Sequence, residues 1–182
     1  LDMTFTLKGK KVGKTKPADI DVEISKTINF ELNKDLQISD DNELKIDGST
    51  SFNEDYVYEI QKSTNGEKQG TMEFTTADGD VDVEVRVYSG DKLYLYNTVE
   101  ADTDILKAYA DADADLSFLT FKGEPTFNST ATVRFYKEEG TYVYGVKDGK
   151  VVNVNAKWSD DEGAFILKTR TLGAYVFSDK KL

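Results

Sequence analysis

The chain has no cysteine and no histidine among its 182 residues, and only two prolines and one tryptophan. Without thiols there is no disulfide and no thiolate nucleophile. Without imidazole there is no Ser-His-Asp constellation and no histidine general base. With both missing, the usual zinc ligand sets are excluded too. Catalysis would be left to carboxylate, Lys, Tyr or hydroxyl chemistry. No apolar run reaches the length of a transmembrane helix, and no basic amphipathic stretch suits a membrane surface. There is no signal peptide, but a chain opening on Leu1-Asp2 is expected to be a piece of a longer one, so that absence excludes nothing.

What is present is acid and aromatic rings. The 34 acidic against 23 basic residues give a formal charge of −11, a field that repels phosphate backbones, so nucleic acid is not an expected partner. Ten Tyr and ten Phe are ample material for burial and argue against disorder. The length suits one large β-domain or two small ones.

Apolar and polar residues alternate with period two over Thr4 to Leu7, Ile20 to Ile24, and Ile28 to Leu32, the pattern of half-buried strands. Lys8 to Pro17 is a basic connection. Further short strands follow at Leu36/Ile38, Leu44/Ile46, Tyr56 to Ile60, Thr71 to Thr75, Val81 to Tyr88 and Leu93 to Tyr96. Asp40-Asp41-Asn42, Asp47-Gly48, Asn65-Gly66, Asp78-Gly79 and Ser89-Gly90-Asp91 stand between them as turns. After residue 127 the pattern resumes with Ala131 to Tyr136, Tyr142 to Val146, Val151 to Trp158, Phe165 to Thr169 and Tyr175 to Phe177. Asp148-Gly149 is the best hairpin signal, since Asp-Gly takes positive φ readily. Asp102 to Phe127 is the one long region without such turns. Asp102 or Thr103 is expected to cap a short helix carrying Ile105, Leu106 and Tyr109, followed by a loop over 108–115 and a strand from Leu116.

A repeat organises the chain. Val85-Arg86-Val87-Tyr88 followed by Tyr94-Leu95-Tyr96 recurs, at the same spacing, as Val133-Arg134-Phe135-Tyr136 and Tyr142-Val143-Tyr144, which reads as a duplicated hairpin. The expected fold is therefore mainly β: two tandem antiparallel sandwich-like units, residues 1–104 and 105–182, joined by a short irregular or helical segment. A single large β-domain is the alternative.

The repeat also supplies candidate ligand-binding residues. On a strand alternate residues share a face, so Arg86, Tyr88, Tyr94 and Tyr96 would line one side of one hairpin. Arg134, Tyr136, Tyr142 and Tyr144 would do the same in the other. Such faces suit stacking on sugar rings or peptide side chains. The competing reading puts the tyrosine rings between sheets with the arginine stems across them. Trp158, beside the acidic run Asp160-Asp161-Glu162, is either a ligand platform or a half-buried anchor. Asp111, Asp113 and Asp115 match the start of a calcium loop, but Leu116 stands where its turn glycine belongs and Lys122 where its bidentate glutamate belongs. Asp78, Asp80, Asp82 and Glu84 form another acidic run with solvation as the default reading. No cofactor and no metal are expected. No spacing singles out an opposed carboxylate pair of the kind a glycosidase needs, and Asn128-Ser129-Thr130 is a formal glycosylation acceptor.

Ala114-Asp115-Leu116-Ser117-Phe118, Pro125-Thr126-Phe127-Asn128, Tyr142-Val143-Tyr144 and above all Lys168-Thr169-Arg170-Thr171-Leu172-Gly173-Ala174-Tyr175-Val176-Phe177-Ser178-Asp179 resemble a C-terminal segment of exported, surface-associated proteins of gut anaerobic Firmicutes. Val12-Gly13-Lys14 and Asp19 to Lys26 resemble the region that precedes it there. No activity is attached to that family, so no functional residue carries over. The resemblance implies a secretion signal upstream, a linker and wall anchor downstream, and an extracellular, surface-associated location. Zero cysteine fits such a protein, and a cytosolic one equally. The expected function is a non-catalytic surface β-module, structural or adhesive, with glycans or host and cell-surface proteins as partners. The alternatives are a carbohydrate-binding module and, last, a carboxylate-based glycoside hydrolase.

Overall fold

The computed structural model describes residues 2–7, 20–25, 32–46, 52–76 and 78–182. The chain separates into two compact units, Leu1–Glu31 and Leu32–Leu182. In the first, β1 (Asp2–Leu7) pairs antiparallel with β2 (Ile20–Ser25), so that Met3, Phe5 and Leu7 are register partners of Ile24, Val22 and Ile20. The expected strand residues Ile28 and Phe30, the connection 8–17 and the turn at Asp47-Gly48 lie outside the described residues.

The second unit holds β3 (Leu32–Gln37), β4 (Glu43–Ile46), β5 (Tyr56–Gln61), β6 (Gln69–Thr75), β7 (Val81–Tyr88), β8 (Lys92–Leu93) and β9 (Asn97–Thr98). Then come the helix α1 (Thr103–Ala108) and a 3-10 turn at Ala110–Ala112. The chain closes with β10 (Leu116–Phe121), β11 (Thr126–Phe135), β12 (Tyr142–Lys147), β13 (Lys150–Asn153), β14 (Lys157–Ser159), β15 (Ala164–Thr171) and β16 (Ala174–Ser178). These strands form a six-stranded sheet ordered β14-β15-β11-β7-β6-β4, a five-stranded sheet β13-β12-β16-β10-β9, and a three-stranded sheet β3-β5-β8. Residues 92–98 run from the three-stranded sheet into the five-stranded one. Both face the six-stranded sheet across one core. Phe74 meets Phe121 at 6.5 Å, and Phe135 meets Tyr175 at 5.0 Å and Phe177 at 5.4 Å, each edge to face. Val81, Val83, Val85, Val87, Val133 and Phe135 line the six-stranded side of that core.

The mainly β class is as expected, but three features of the expected architecture are corrected. The division at 104/105 does not separate compact units: β7 pairs with β11 from Val81–Phe135 to Glu84–Thr132, and one core takes residues from both sides. Pairing is not wholly antiparallel, since β3–β5 and β4–β6 are parallel. The repeated motif is not a hairpin. β7 pairs with β6 and β11 while β8 pairs with β5; β11 pairs with β15 and β7 while β12 pairs with β13 and β16. In both copies the first strand lies in the six-stranded sheet and the next crosses to the facing layer. Such an arch keeps the alternation of a hairpin but sends its two strands to opposite walls of the core.

Two consecutive arches explain the parallel pairs. β3 crosses to β4 and β5 to β6, each in the same sense, so their strands stack in parallel. Asp40 in the first arch accepts hydrogen bonds from the Thr64 hydroxyl at 2.6 Å and the Asn65 N–H at 3.2 Å in the second. These bonds, the hydroxyl first, hold its carboxyl below the usual range. The arches approach so closely at Gly70 that a Cβ there would stand 2.8 Å from Ile38 Cγ2 and 2.9 Å from the Asn42 carbonyl oxygen. Only glycine fits that spot.

Outside the five-stranded sheet a second, smaller cluster forms. Asp102 caps α1 by accepting from the N–H groups of Asp104 at 2.9 Å and Ile105 at 3.1 Å. The helix then lays Ile105 on Phe118, Tyr144 and Val176, with Tyr109, Leu116, Val146, Val151 and Leu182 around them. Leu106, expected on the same face, points to solvent.

Candidate aromatic groove

The inward half of the repeat alternation holds throughout: Val85, Val87, Leu93, Leu95, Val133, Phe135 and Val143 are buried. The arches then decide where the polar and aromatic half goes. Arg86, Tyr88, Arg134 and Tyr136 lie on the outer face of the six-stranded sheet, whereas Tyr94, Tyr96, Tyr142 and Tyr144 belong to the facing layer. The expected four-residue platforms are therefore not assembled. The inter-sheet reading of these rings is not observed either: the buried tyrosines of the inter-sheet core are Tyr58 and Tyr175, and Tyr144 is buried instead in the smaller cluster beneath α1.

Arg86 is exposed on that outer face, whereas Arg134 is engaged by neighbouring acids. Arg134 donates to Glu84 at 3.0 Å and also to Glu162, and the bond to Glu162, against the opposing effect of burial, raises its pKa. Tyr136 is 41% exposed, but its hydroxyl donates to Asp82 at 3.0 Å, and Thr75 donates to the same carboxylate at 2.6 Å. Burial, then the Asp82 carboxylate, pushes the Tyr136 pKa up. Lys137 pairs with Asp80. The acidic run 80–84 thus meets cations and hydroxyls, and among the described residues no three acidic side chains converge as a metal site would require. At the junction of the other two sheets, the Tyr94 hydroxyl donates to the Glu54 carbonyl at 2.9 Å. A Cβ on Gly123 would stand 2.7 Å from the Tyr94 ring, so that ring is a wedge in the fold.

Three of the predicted residues do come together. Tyr142, Tyr144 and Trp158 line one open groove of about 690 Å³, with Tyr109, Thr141, Glu139, Asn153, Lys181 and aliphatic neighbours around them. Tyr142 and Tyr144 project from the same face of β12. Their ring planes lie 12° apart, with centroids 6.4 Å apart. Tyr142 is 41% exposed, while Tyr144 is 9% exposed beneath α1 and accepts a hydrogen bond from the Leu182 N–H at 3.0 Å. Trp158 packs edge to face on Phe165 at 5.1 Å and donates its indole N–H to Asp160 at 2.8 Å. That bond occupies the one polar group of the indole and fixes the half-buried ring at the groove wall.

Trp158 reaches the groove because the expected strand Val151 to Trp158 is broken. β13 belongs to the five-stranded sheet and β14 to the six-stranded one. The crossing turns on Asn155, whose φ is 59° and whose N–H donates to Asn153 Oδ1 at 2.7 Å. Sequence reasoning missed Tyr109, Glu139, Thr141, Asn153 and Lys181 as groove residues. The paired asparagines 153 and 155 were the available signal, since Asn favours turns and tolerates positive φ. No family model matches the chain, and neither a curated protein nor a solved structure matches it.

Proposed function

We propose that the chain is a non-catalytic, extracellular β-module of a bacterial surface protein, and that it adheres by docking carbohydrate in the Tyr142–Tyr144–Trp158 groove. The observation that carries this reading is the pair of nearly parallel tyrosine rings, one of them exposed, in an open groove with a fixed tryptophan at its wall. Sugar rings present flat C–H faces that stack on such surfaces, while hydroxyls at the margin are met by groups such as Thr141 and Asn153. The non-catalytic part rests on the missing cysteine and histidine.

The test is a screen of the full chain against host, dietary and microbial glycans, followed by calorimetry with the best hit. Binding should survive Tyr136→Ala, which alters the opposite sheet, and should weaken by about tenfold or more in Tyr142→Ala and Trp158→Ala, since exposed aromatic anchors dominate such sites. Equal affinity in all four proteins would place the ligand elsewhere and end the reading.

A further inference from the structure

The polar lining of the groove says which sugars it accepts, given that it holds a glycan at all. We infer that the groove selects uncharged glycans and rejects carboxylated or sulfated ones. Among the described residues, the charged side chains of its lining are one carboxylate, Glu139, and one ammonium, Lys181. A second carboxylate, Asp160, stands at the wall on the Trp158 indole N–H. The lining thus offers an anion no excess of positive charge, and Asp160 at the wall adds a negative one, within a chain of net charge −11. An anionic sugar would enter against both fields.

Donor geometry points the same way. Carboxylate and sulfate groups only accept hydrogen bonds and are best held by the planar fork of arginine; no arginine lines the groove. Arg134, the arginine nearest such a role by sequence, is held on the other sheet by Glu84 and Glu162. The neutral lining groups instead both donate and accept. The Tyr144 oxygen takes the Leu182 N–H and keeps its own proton to donate. Asn153 uses its carbonyl on the Asn155 N–H and keeps its amide hydrogens. The Thr141 and Tyr142 hydroxyls do either. Sugar hydroxyls, which are themselves donor and acceptor at once, match that set. The ring faces then supply the apolar contact.

Affinity gel electrophoresis of the full chain tests this, using neutral polysaccharides each run beside a carboxylated or sulfated form of the same backbone. The expected result is retardation by a neutral polymer, with at least about tenfold weaker binding of its acidic form in low salt and a narrower gap above about 0.3 M salt. Glu139→Gln combined with Asp160→Asn, which keeps an acceptor for the indole, should also narrow the gap. If an acidic polymer binds as well as its neutral form, and Tyr142→Ala abolishes that binding, the glycan reading stands and this selectivity is wrong. If no polysaccharide binds, both fall together.

Discussion

Tyr175 provides a quantitative test of the core. Its side chain is 4% exposed, on the inner face of β16 against the Phe135 ring at 5.0 Å. Burial pushes its phenol pKa up to about 12, with a hydrogen bond from the Gly173 backbone pulling the other way. An unfolded tyrosine titrates near 10. The folded state therefore holds the proton more tightly than the unfolded state. The corresponding stability is whole below pH 10 and is lost as pH rises through 12. The full gap is worth roughly 3 kcal/mol, about half of which is lost by pH 11. Urea unfolding followed by Trp158 fluorescence at pH 9 and pH 11, on the parent and on Tyr175→Phe, isolates this group, because all other titrations are common to both. The parent should lose roughly 1 kcal/mol more than the variant between the two pH values. A difference unchanged to within about 0.3 kcal/mol would mean that Tyr175 is not the desolvated core residue described here.

Gly70→Ala should destabilise the second unit by about 1–3 kcal/mol, because one of the two atoms its Cβ meets is a backbone carbonyl that cannot swing away; an unmoved urea midpoint would contradict the close approach of the arches. Phe135→Ala, at the centre of the aromatic cluster with Tyr175 and Phe177, should lower stability by about 3–5 kcal/mol in the same assay. A loss below about 1 kcal/mol would show that the facing layers do not share a core there. Asp102→Ala removes both capping bonds of α1 and should cost about 1 kcal/mol, whereas Asp102→Asn should retain most of it; equal losses in the two variants would refute the cap.

Much of the fold was legible because burial imprints alternation on each strand separately. The runs at Tyr56–Ile60, Val81–Tyr88 and Tyr175–Phe177 fall inside β5, β7 and β16. Asp148 and Gly149 make the predicted reversal with φ of 51° and 69°, joining β12 to β13 as a true hairpin. What alternation does not encode is which strand lies next door. A hairpin and an arch begin with the same buried and exposed positions and use the same turn residues, and only long-range packing separates them. Asn65-Gly66 illustrates this: its turn signal is genuine, with Gly66 at φ 94°, yet the segment carries the chain across the core from β5 to β6. The loss of the 104/105 boundary has the same origin, since the β7–β11 pairing that spans it joins residues far apart in sequence.

The candidate site was half legible for a related reason. The alternation in the repeat separates two sides of each strand, and the side opposite the Arg and Tyr residues, with Val85, Val87, Leu93, Leu95, Val133 and Val143, is buried. Once each copy is an arch, however, the outward Arg/Tyr pair of its first strand and the outward Tyr/Tyr pair of its second stand on opposite walls of the core. No ligand of ordinary size touches both. The copies then diverge through their neighbours. Tyr94 is wedged over Gly123 with its hydroxyl on Glu54, whereas Tyr142 faces a groove completed by Trp158 from beyond the Asn155 crossing. A duplicated surface has thus become one structural joint and one open aromatic face. That difference lies in Gly123, Asn155 and the covering helix, none of which belongs to the repeat itself.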